Sequence, residues 1–243
     1  MDYRFFVKLF SQDSFREGFI NGQLYMNPLS YFIKVEDESA NNVADKHEGV
    51  SGWLQPDEHI LKIGLPGEEI ILTQDDFAGP ITIKMDWVDN INVFCMTHLH
   101  SHGILSRPFY EHEVDKLKGY YKLPPKAENL GQYFALVWDE AEFMSRVIKK
   151  LDSLVASGEV LAYRCEPIVY FDEKETLKFD QFSLASVFNK RSSYSHQNEY
   201  RIAIYRASPD GEPFTLDIGH IGDIVKIGNT REFNEMIKLD LNK

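Results

Sequence analysis

The arrangement of short apolar segments is the feature that most constrains the fold of this 243-residue chain. Three segments, "HILKIGL", "EEIILT" and "ITIKMDWV", are rich in branched side chains and are separated by turn residues such as Pro66-Gly67. Successive side chains of a strand point to opposite faces, so this pattern is typical of strands joined by tight turns. It predicts an antiparallel meander over residues 59–88.

Further segments share this β-rich composition along the chain. They lie at residues 3–10, 91–99, 132–139, 159–171 (one long strand or a hairpin) and 200–206. Asn27-Pro28 predicts a turn after another strand, because proline fixes the backbone of a turn.

Three segments have helical features. In 140–154 the apolar residues Phe143, Val147, Ile148 and Leu151 repeat at helical spacing. A shorter helix over 12–20 would begin after Ser11 as its N-cap, and a third is predicted over 230–239. Strands outnumber these scattered helices. We therefore predict an α+β fold with mixed or antiparallel sheets, built as a single domain over residues 1–243.

The charge balance restricts the possible partners. With 38 acidic and 26 basic residues, the net charge is −12, which repels phosphate backbones and anionic membranes. The longest basic runs are pairs, such as Lys149-Lys150 and Lys190-Arg191. We therefore expect no nucleic-acid or membrane partner, and instead a small-molecule site or a protein partner.

The two cysteines, Cys95 and Cys165, lie in apolar, strand-like surroundings. Neither has the helix N-terminus or basic neighbours that activate a thiolate, so both are expected in the core. No disulfide framework, signal peptide or membrane-length apolar run is evident in the sequence. These features favour the reducing cytoplasm.

The segment "THLHSH" contains three histidines at alternating positions: His98, His100 and His102. On an extended strand these side chains share one face and suggest a zinc site. The outer two would, however, lie roughly 13 Å apart along the backbone. A histidine-rich loop that binds no metal is the favoured interpretation.

An acidic run forms a second candidate site. Its members are Glu36, Asp37, Glu38, Asp45 and Glu48. Clustered carboxylates bind magnesium or calcium, but no EF-hand spacing is present. A solvated, mobile loop is therefore the favoured interpretation, with a lid as the alternative.

The stretch "YSHQNEYRIAIYR" carries the third candidate. Gln197 and Glu199 are two residues apart, so on a strand both would project to the same side. An amide and a carboxylate so placed would bind a ribose diol, and the carboxylate would stabilise an oxocarbenium-like centre. The alternative is a solvated strand entry in which Arg201 pairs with Glu199.

This segment resembles the Gln-x-Glu motif of ADP-ribosyltransferases of the arginine–serine–glutamate class, whose final Glu is catalytic. The order strand, helix, strand in "YRFFVKLFSQDSFREGFINGQLYM" is similar to the start of that family, which has an arginine on its first strand. The resemblance implies an ADP-ribosyltransferase-like fold and NAD as substrate. The family's Ser/Thr-x-Ser/Thr motif is not matched, because Ser183 and Ser186 are spaced differently.

The resemblance also implies roles for individual residues. Glu199 would be catalytic, Gln197 would orient the ribose or the acceptor, and Arg4 would bind the pyrophosphate. Three tyrosines would stack on the nicotinamide or adenine ring: Tyr25, Tyr31 and Tyr194.

Over nearly its full length, the chain also resembles uncharacterised bacterial and phage proteins, some linked to abortive infection. In that group a lysine precedes a polar-x-Glu-x-Arg strand, as Lys190 does here. Two functions therefore stay open for a protein of phage–bacteria conflict. One is NAD cleavage or ADP-ribosyl transfer. The other is a non-catalytic protein of the same fold that inhibits, or is sensed by, a host or phage defence protein.

Overall fold

The computed structural model describes residues 3–38, 45, 47–108, 110–125, 127–178, 180 and 182–238. The strands are β1 (Arg4–Phe10), β2 (Gln23–Pro28), β3 (Val50–Leu54), β4 (Leu61–Ile63), β5 (Ile70–Leu72), β6 (Ile81–Lys84), β7 (Asn92–His100), β8 (Tyr133–Val137), β9 (Val160–Pro167), β10 (Val169–Phe171), β11 (Leu177–Lys178), β12 (Asn189–Arg191), β13 (Glu199–Arg206), β14 (Phe214–Asp217) and β15 (Val225–Asn229). The α-helices are α1 (Asp13–Ile20), α2 (Leu29–Glu38), α3 (Val114–Tyr120), α4 (Glu140–Ser157) and α5 (Phe233–Met236).

An eight-stranded antiparallel sheet forms the centre of the protein. Six strands follow the order β14-β2-β7-β1-β8-β15, while β13 pairs with β7 and carries β9 on its other edge. Smaller sheets join β11-β3-β6 and β4-β5, and the pair β10-β12 is parallel. The predicted α+β class with mixed and antiparallel sheets and few helices is confirmed.

The main sheet is split beside its central strand, β7. One edge of β7 pairs with β13 through residues 92–97. The other edge pairs with β1 through residues 97–100 and with β2 through residues 92–93. Because β1 and β2 diverge there, residues 94–96 have no partner on that edge among the described strands.

Apolar side chains from two helices pack on one face of the sheet beside this split. The Phe19 ring of α1 stacks on Phe94 of β7 with ring centroids 5.9 Å apart. Helix α4 packs Phe143, Val147 and Leu151, all fully buried, into the same core. Apolar burial is the main favourable contribution to folding, so these helices hold the two halves of the split sheet together.

The ends of helix α4 follow from its sequence. Asp139 accepts a hydrogen bond from the backbone nitrogen of Glu142 at 3.0 Å, which satisfies a free donor of the first turn. Gly158 ends the helix in the left-handed conformation at φ 79°. The predicted helix is confirmed, except that Ile148 is exposed.

Several local predictions were wrong. Gln12, and not Ser11, is the N-cap residue of α1, and it makes no side-chain capping bond. At Asn27-Pro28 the chain makes no separate turn, because β2 continues to Pro28 and α2 begins at Leu29.

The predicted meander forms only in part. Strands β4 and β5 make an isolated hairpin, whereas β6 pairs with β3. Residues 159–171 form two strands, β9 and β10, that pair with different partners. The predicted C-terminal helix is the 3-10 turn Thr230–Glu232 followed by α5, and residue 239 lies outside the described residues. In the described ranges no helix is long and apolar enough to cross a membrane.

Replacing Phe19 by alanine should destabilise the protein strongly. The ring is 1% exposed and fills the space beside the split, so its loss should cost about 3–5 kcal/mol of unfolding free energy. Phe15→Ala on the same helix is the matched control, because Phe15 is 57% exposed. Urea unfolding measures both, and equal midpoints for the two variants would contradict this account of the split.

Candidate functional site

The first residue of β13, Glu199, is fixed on both sides by neighbouring elements. Its backbone nitrogen donates to the Tyr170 hydroxyl at 2.9 Å, and its carbonyl accepts from Ile168 N at 2.8 Å. The preceding Asn198 is left-handed, at φ 44°, and exchanges hydrogen bonds with the backbone of His98. Asparagine tolerates this conformation because its short polar side chain bonds locally.

Gln197 and Glu199 meet, but not as residues of one strand. Gln197 ends the 3-10 turn Ser192–Gln197, so the two-residue period of a strand does not apply to it. Both side chains nevertheless accept hydrogen bonds from Lys190 Nζ, at 2.9 Å from Gln197 Oε1 and 2.7 Å from Glu199 Oε2. The amide and the carboxylate are thus brought together by a shared cation.

Two carboxylates and two cations form a buried ion quartet: Glu48, Lys190, Glu199 and Arg201. Lys190 Nζ lies 2.9 Å from Glu48 Oε1, and Arg201 Nη2 lies 3.2 Å from Glu48 Oε2. Arg201 also binds Glu199 Oε1 through Nε at 2.8 Å and through Nη2 at 2.7 Å. All four residues are at most 7% exposed, and their formal charges cancel.

The predicted pairing of Arg201 with Glu199 is therefore correct, but its predicted setting was wrong. A solvated strand entry would leave both charges facing water, whereas Arg201 is 1% exposed. Arg201 Nη1 additionally donates to the carbonyl of Val187 at 2.6 Å. Buried charges need such pairing, because an unpaired charge in the interior is strongly unfavourable.

The expectation of a solvated acidic loop was wrong for Asp45 and Glu48, which are both 1% exposed. Asp45 Oδ1 accepts from Arg191 Nε at 3.0 Å, next to the Lys190 that binds Glu48. Gly49 follows at φ 78°, and a Cβ there would lie 2.7 Å from the side chains of Leu29 and Val88. Only glycine lets the chain turn this tightly behind Glu48.

The quartet sets the protonation state of its members. Burial alone raises the pKa of Glu199, but Arg201 and Lys190 outweigh burial and hold this pKa well below its usual range. Burial likewise lowers the pKa of Lys190, and Glu199 and Glu48 reverse that effect and raise it. Lys190 and Glu199 therefore stay charged at neutral pH, and Glu199 is available as a carboxylate but not as a proton donor.

A cavity of about 280 Å³ opens beside the quartet, where β1 leaves β7. Glu199, Gln197, Lys190 and Arg201 lie on its wall, together with Lys8 of β1. Apolar side chains provide much of the remaining lining; they are Val7, Leu9, Phe32, Met96, Leu123, Pro124 and Leu130. Such a combination of apolar walls and a few convergent polar groups is typical of small-molecule sites.

Lys8 reaches into the gap of the split sheet. Its Nζ donates a 2.7 Å hydrogen bond to the carbonyl of Cys95 and lies 4.7 Å from the centre of the Phe94 ring. Burial raises the pKa of the Cys95 thiol to about 12, and that of Cys165 also to about 12. Both thiols thus stay protonated, as expected for cysteines without an activating environment.

The other predicted site residues lie apart from the cavity lining. Arg4 is exposed at the start of β1, opposite His100. Tyr25 and Tyr31 are also exposed, on β2 and α2. Tyr194 is buried, with its ring centre 5.9 Å from Lys190 Nζ. A ligand in the cavity would have to extend beyond it to contact Arg4, Tyr25 or Tyr31.

The three histidines do not share one strand. Strand β7 ends at His100, and His102 lies in a turn at φ 48°. Their rings form a column, with centroids 4.7 Å apart from His98 to His100 and 4.0 Å from His100 to His102. Within the described part of the chain, no group of three or more His, Cys, Asp or Glu side chains is placed to hold a metal ion. Of the predicted acidic run, Glu36, Asp37 and Glu38 end helix α2 and do not lie in a loop, and the intervening residues 39–44 lie outside the described residues.

No protein-family model, curated protein or solved structure matches the chain. The family resemblances suggested by the sequence therefore stay predictions.

Replacing Glu199 by glutamine should destabilise the fold. The change leaves three charges of the quartet buried with a net positive charge, which should cost about 3–5 kcal/mol of unfolding free energy. Asp210→Asn removes a carboxylate of an exposed pair with Arg206 and should have no measurable effect. Denaturant unfolding checks both, and a Glu199→Gln protein as stable as the wild type would show that the quartet does not stabilise the fold.

Stability should also depend on pH through Glu199. Because its folded pKa is depressed, its stabilising contribution is complete above the unfolded value of about 4.3 and is lost as the pH falls below it. The unfolding free energy of the wild type should therefore fall more steeply between about pH 4.3 and 3 than that of Glu199→Gln. Parallel pH profiles for the two proteins would contradict the depressed pKa.

Proposed function

We propose that the cavity binds the nicotinamide riboside end of NAD, and that the protein cleaves the nicotinamide–ribose bond within an ADP-ribosyltransferase-like fold. The observation that carries this proposal is an ionised carboxylate, Glu199, on the wall of a cavity that combines apolar side chains with a few convergent polar groups. The likeness of the surrounding sequence to the Gln-x-Glu motif supports the same assignment. The cavity volume of about 280 Å³ suits this end of the molecule, and the rest would extend beyond it.

The chemistry requires a fixed negative charge near the ribose. When the bond from C1′ to the ring nitrogen breaks, both electrons move to the nitrogen and neutral nicotinamide leaves. The remaining oxocarbenium ion is stabilised by the Glu199 carboxylate. Water or another nucleophile then bonds to C1′ and loses its proton. Glu199 needs no proton at any stage, which agrees with its depressed pKa.

Gln197 would position the ribose. Its Oε1 accepts from Lys190 Nζ at 2.9 Å, and the same ammonium binds Glu199. Lys190 therefore sets the separation of the amide and the carboxylate before any ligand arrives. Pre-positioned polar groups avoid reorganisation at the moment of reaction.

A second function is favoured by one specific observation. Both oxygens of Glu199 already contact cations, Oε1 from Arg201 and Oε2 from Lys190, so much of its charge is compensated. A non-catalytic protein of the same fold, which inhibits a host or phage defence protein or is sensed by one, needs no exposed catalytic charge. The net charge of −12 suits a basic partner surface.

NAD turnover tests the first function. Wild-type protein should release nicotinamide from labelled NAD, and Glu199→Gln should reduce that rate by about 100-fold or more, because the transition-state charge loses its partner. Glu48→Gln is the matched control, since it removes the other carboxylate of the quartet, which does not line the cavity. It should lose markedly less activity when both variants are measured well below their melting temperatures.

Three outcomes separate the two functions. Nicotinamide release that depends on Glu199 supports the enzyme. Wild-type protein that neither binds nor cleaves NAD would rule out the enzyme function. A stoichiometric protein partner that dissociates at high salt, with no effect of NAD, supports the interaction protein, because screening weakens contacts between charged surfaces.

A further inference from the structure

Lys8 differs from the other cations of the cavity in its surroundings. Lys190 and Arg201 each contact two carboxylates, whereas no carboxylate of the described residues lies within ion-pair distance of Lys8. Its contacts are the Cys95 carbonyl, at 2.7 Å, and the face of Phe94. The chain has 12 more acidic than basic residues, so a carboxylate partner for a half-buried lysine would be expected. A purely structural role therefore does not explain why Lys8 has none among the described residues.

Apolar side chains form much of the wall around Lys8. Val7 and Leu9 flank it on β1, and Leu123 and Leu130 line the same cavity. Burial in this environment lowers the pKa of Lys8, and the charge of Glu199 offsets part of that effect. A larger fraction of Lys8 is therefore the neutral amine than of a lysine in water.

We propose that Lys8 is a reactive amine, and that the cavity captures small aldehydes or ketones on it as an imine. The hydrogen bond to the Cys95 carbonyl uses one N–H of the amine and anchors Nζ at the gap in the sheet. The cavity provides the space in which a carbonyl compound meets Nζ. The Cys95 thiol beside it stays protonated and does not compete as a nucleophile.

The reaction balances without any redox partner. The Nζ lone pair bonds to the carbonyl carbon, and the π electrons move to the oxygen, which takes up a proton. The amine loses a proton to water. The resulting carbinolamine then expels its hydroxyl as water and loses its remaining N–H proton, which leaves a C=N bond. The net change is amine plus carbonyl compound to imine plus water.

This proposal stands apart from NAD cleavage. It uses the amine of Lys8 and the apolar wall, and it does not need a chemical role for Glu199. Both sites lie in one cavity, however, so one carbonyl ligand could contact the amine and the quartet together.

Reductive trapping tests the proposal on the unmodified protein. Folded wild type is treated at pH 7 with glycolaldehyde and sodium cyanoborohydride, and the alkylated lysines are located by peptide mass spectrometry. Lys8 should be modified several-fold faster than Lys62, an exposed lysine on β4, because burial lowers the pKa of Lys8 and so raises its share of neutral amine. In concentrated urea the preference should disappear.

Three further results decide the matter. Lys8→Arg should abolish trapping at this position while trapping at Lys62 continues, which identifies the modified side chain. Equal rates at Lys8 and Lys62 in the folded protein would overturn the proposal, whatever the NAD assay shows. Selective trapping without nicotinamide release would leave the amine proposal intact and remove only the NAD function.

Discussion

The buried ion quartet connects parts of the chain that are distant in sequence. Glu48 comes from the turn before β3, Lys190 from β12, and Glu199 and Arg201 from β13. Each carboxylate contacts both cations, so removing one member leaves the others without full compensation. Such networks stabilise a fold when every member is paired in the low-dielectric interior. The cations that hold Glu199 at the cavity are thus also paired with a carboxylate from a distant part of the sequence.

The strongest local patterns in the sequence predict local structure correctly, although the predicted N-cap, turn and meander were wrong. The periodicity of 140–154 gives helix α4, and the apolar run at 91–99 gives the central strand β7. The Gln-x-Glu pattern predicts Glu199 at the start of a strand, and Glu199 does begin β13. These features depend on neighbouring residues, whose spacing the sequence displays directly.

The tertiary partners could not be predicted in the same way. Glu48 looked like part of a solvated loop, because nothing near it in sequence reveals the cations that pair with it. Lys8 is flanked by apolar residues on β1, which suggests only an ordinary strand. Its role at the split depends on where β1 leaves β7. Burial of a charge is decided by long-range packing, and a single sequence does not show that packing.

The small hairpin of β4 and β5 is expected to be less stable than the main sheet. Among the described strands it has only its own two members, and Ile63, Ile70 and Ile71 are all more than half exposed. A lone pair of strands has marginal stability in water. Its amide hydrogens should therefore exchange with solvent through brief local opening while those of β7 stay protected. During such opening its aliphatic strand edges become accessible to other chains, which makes this hairpin prone to self-association.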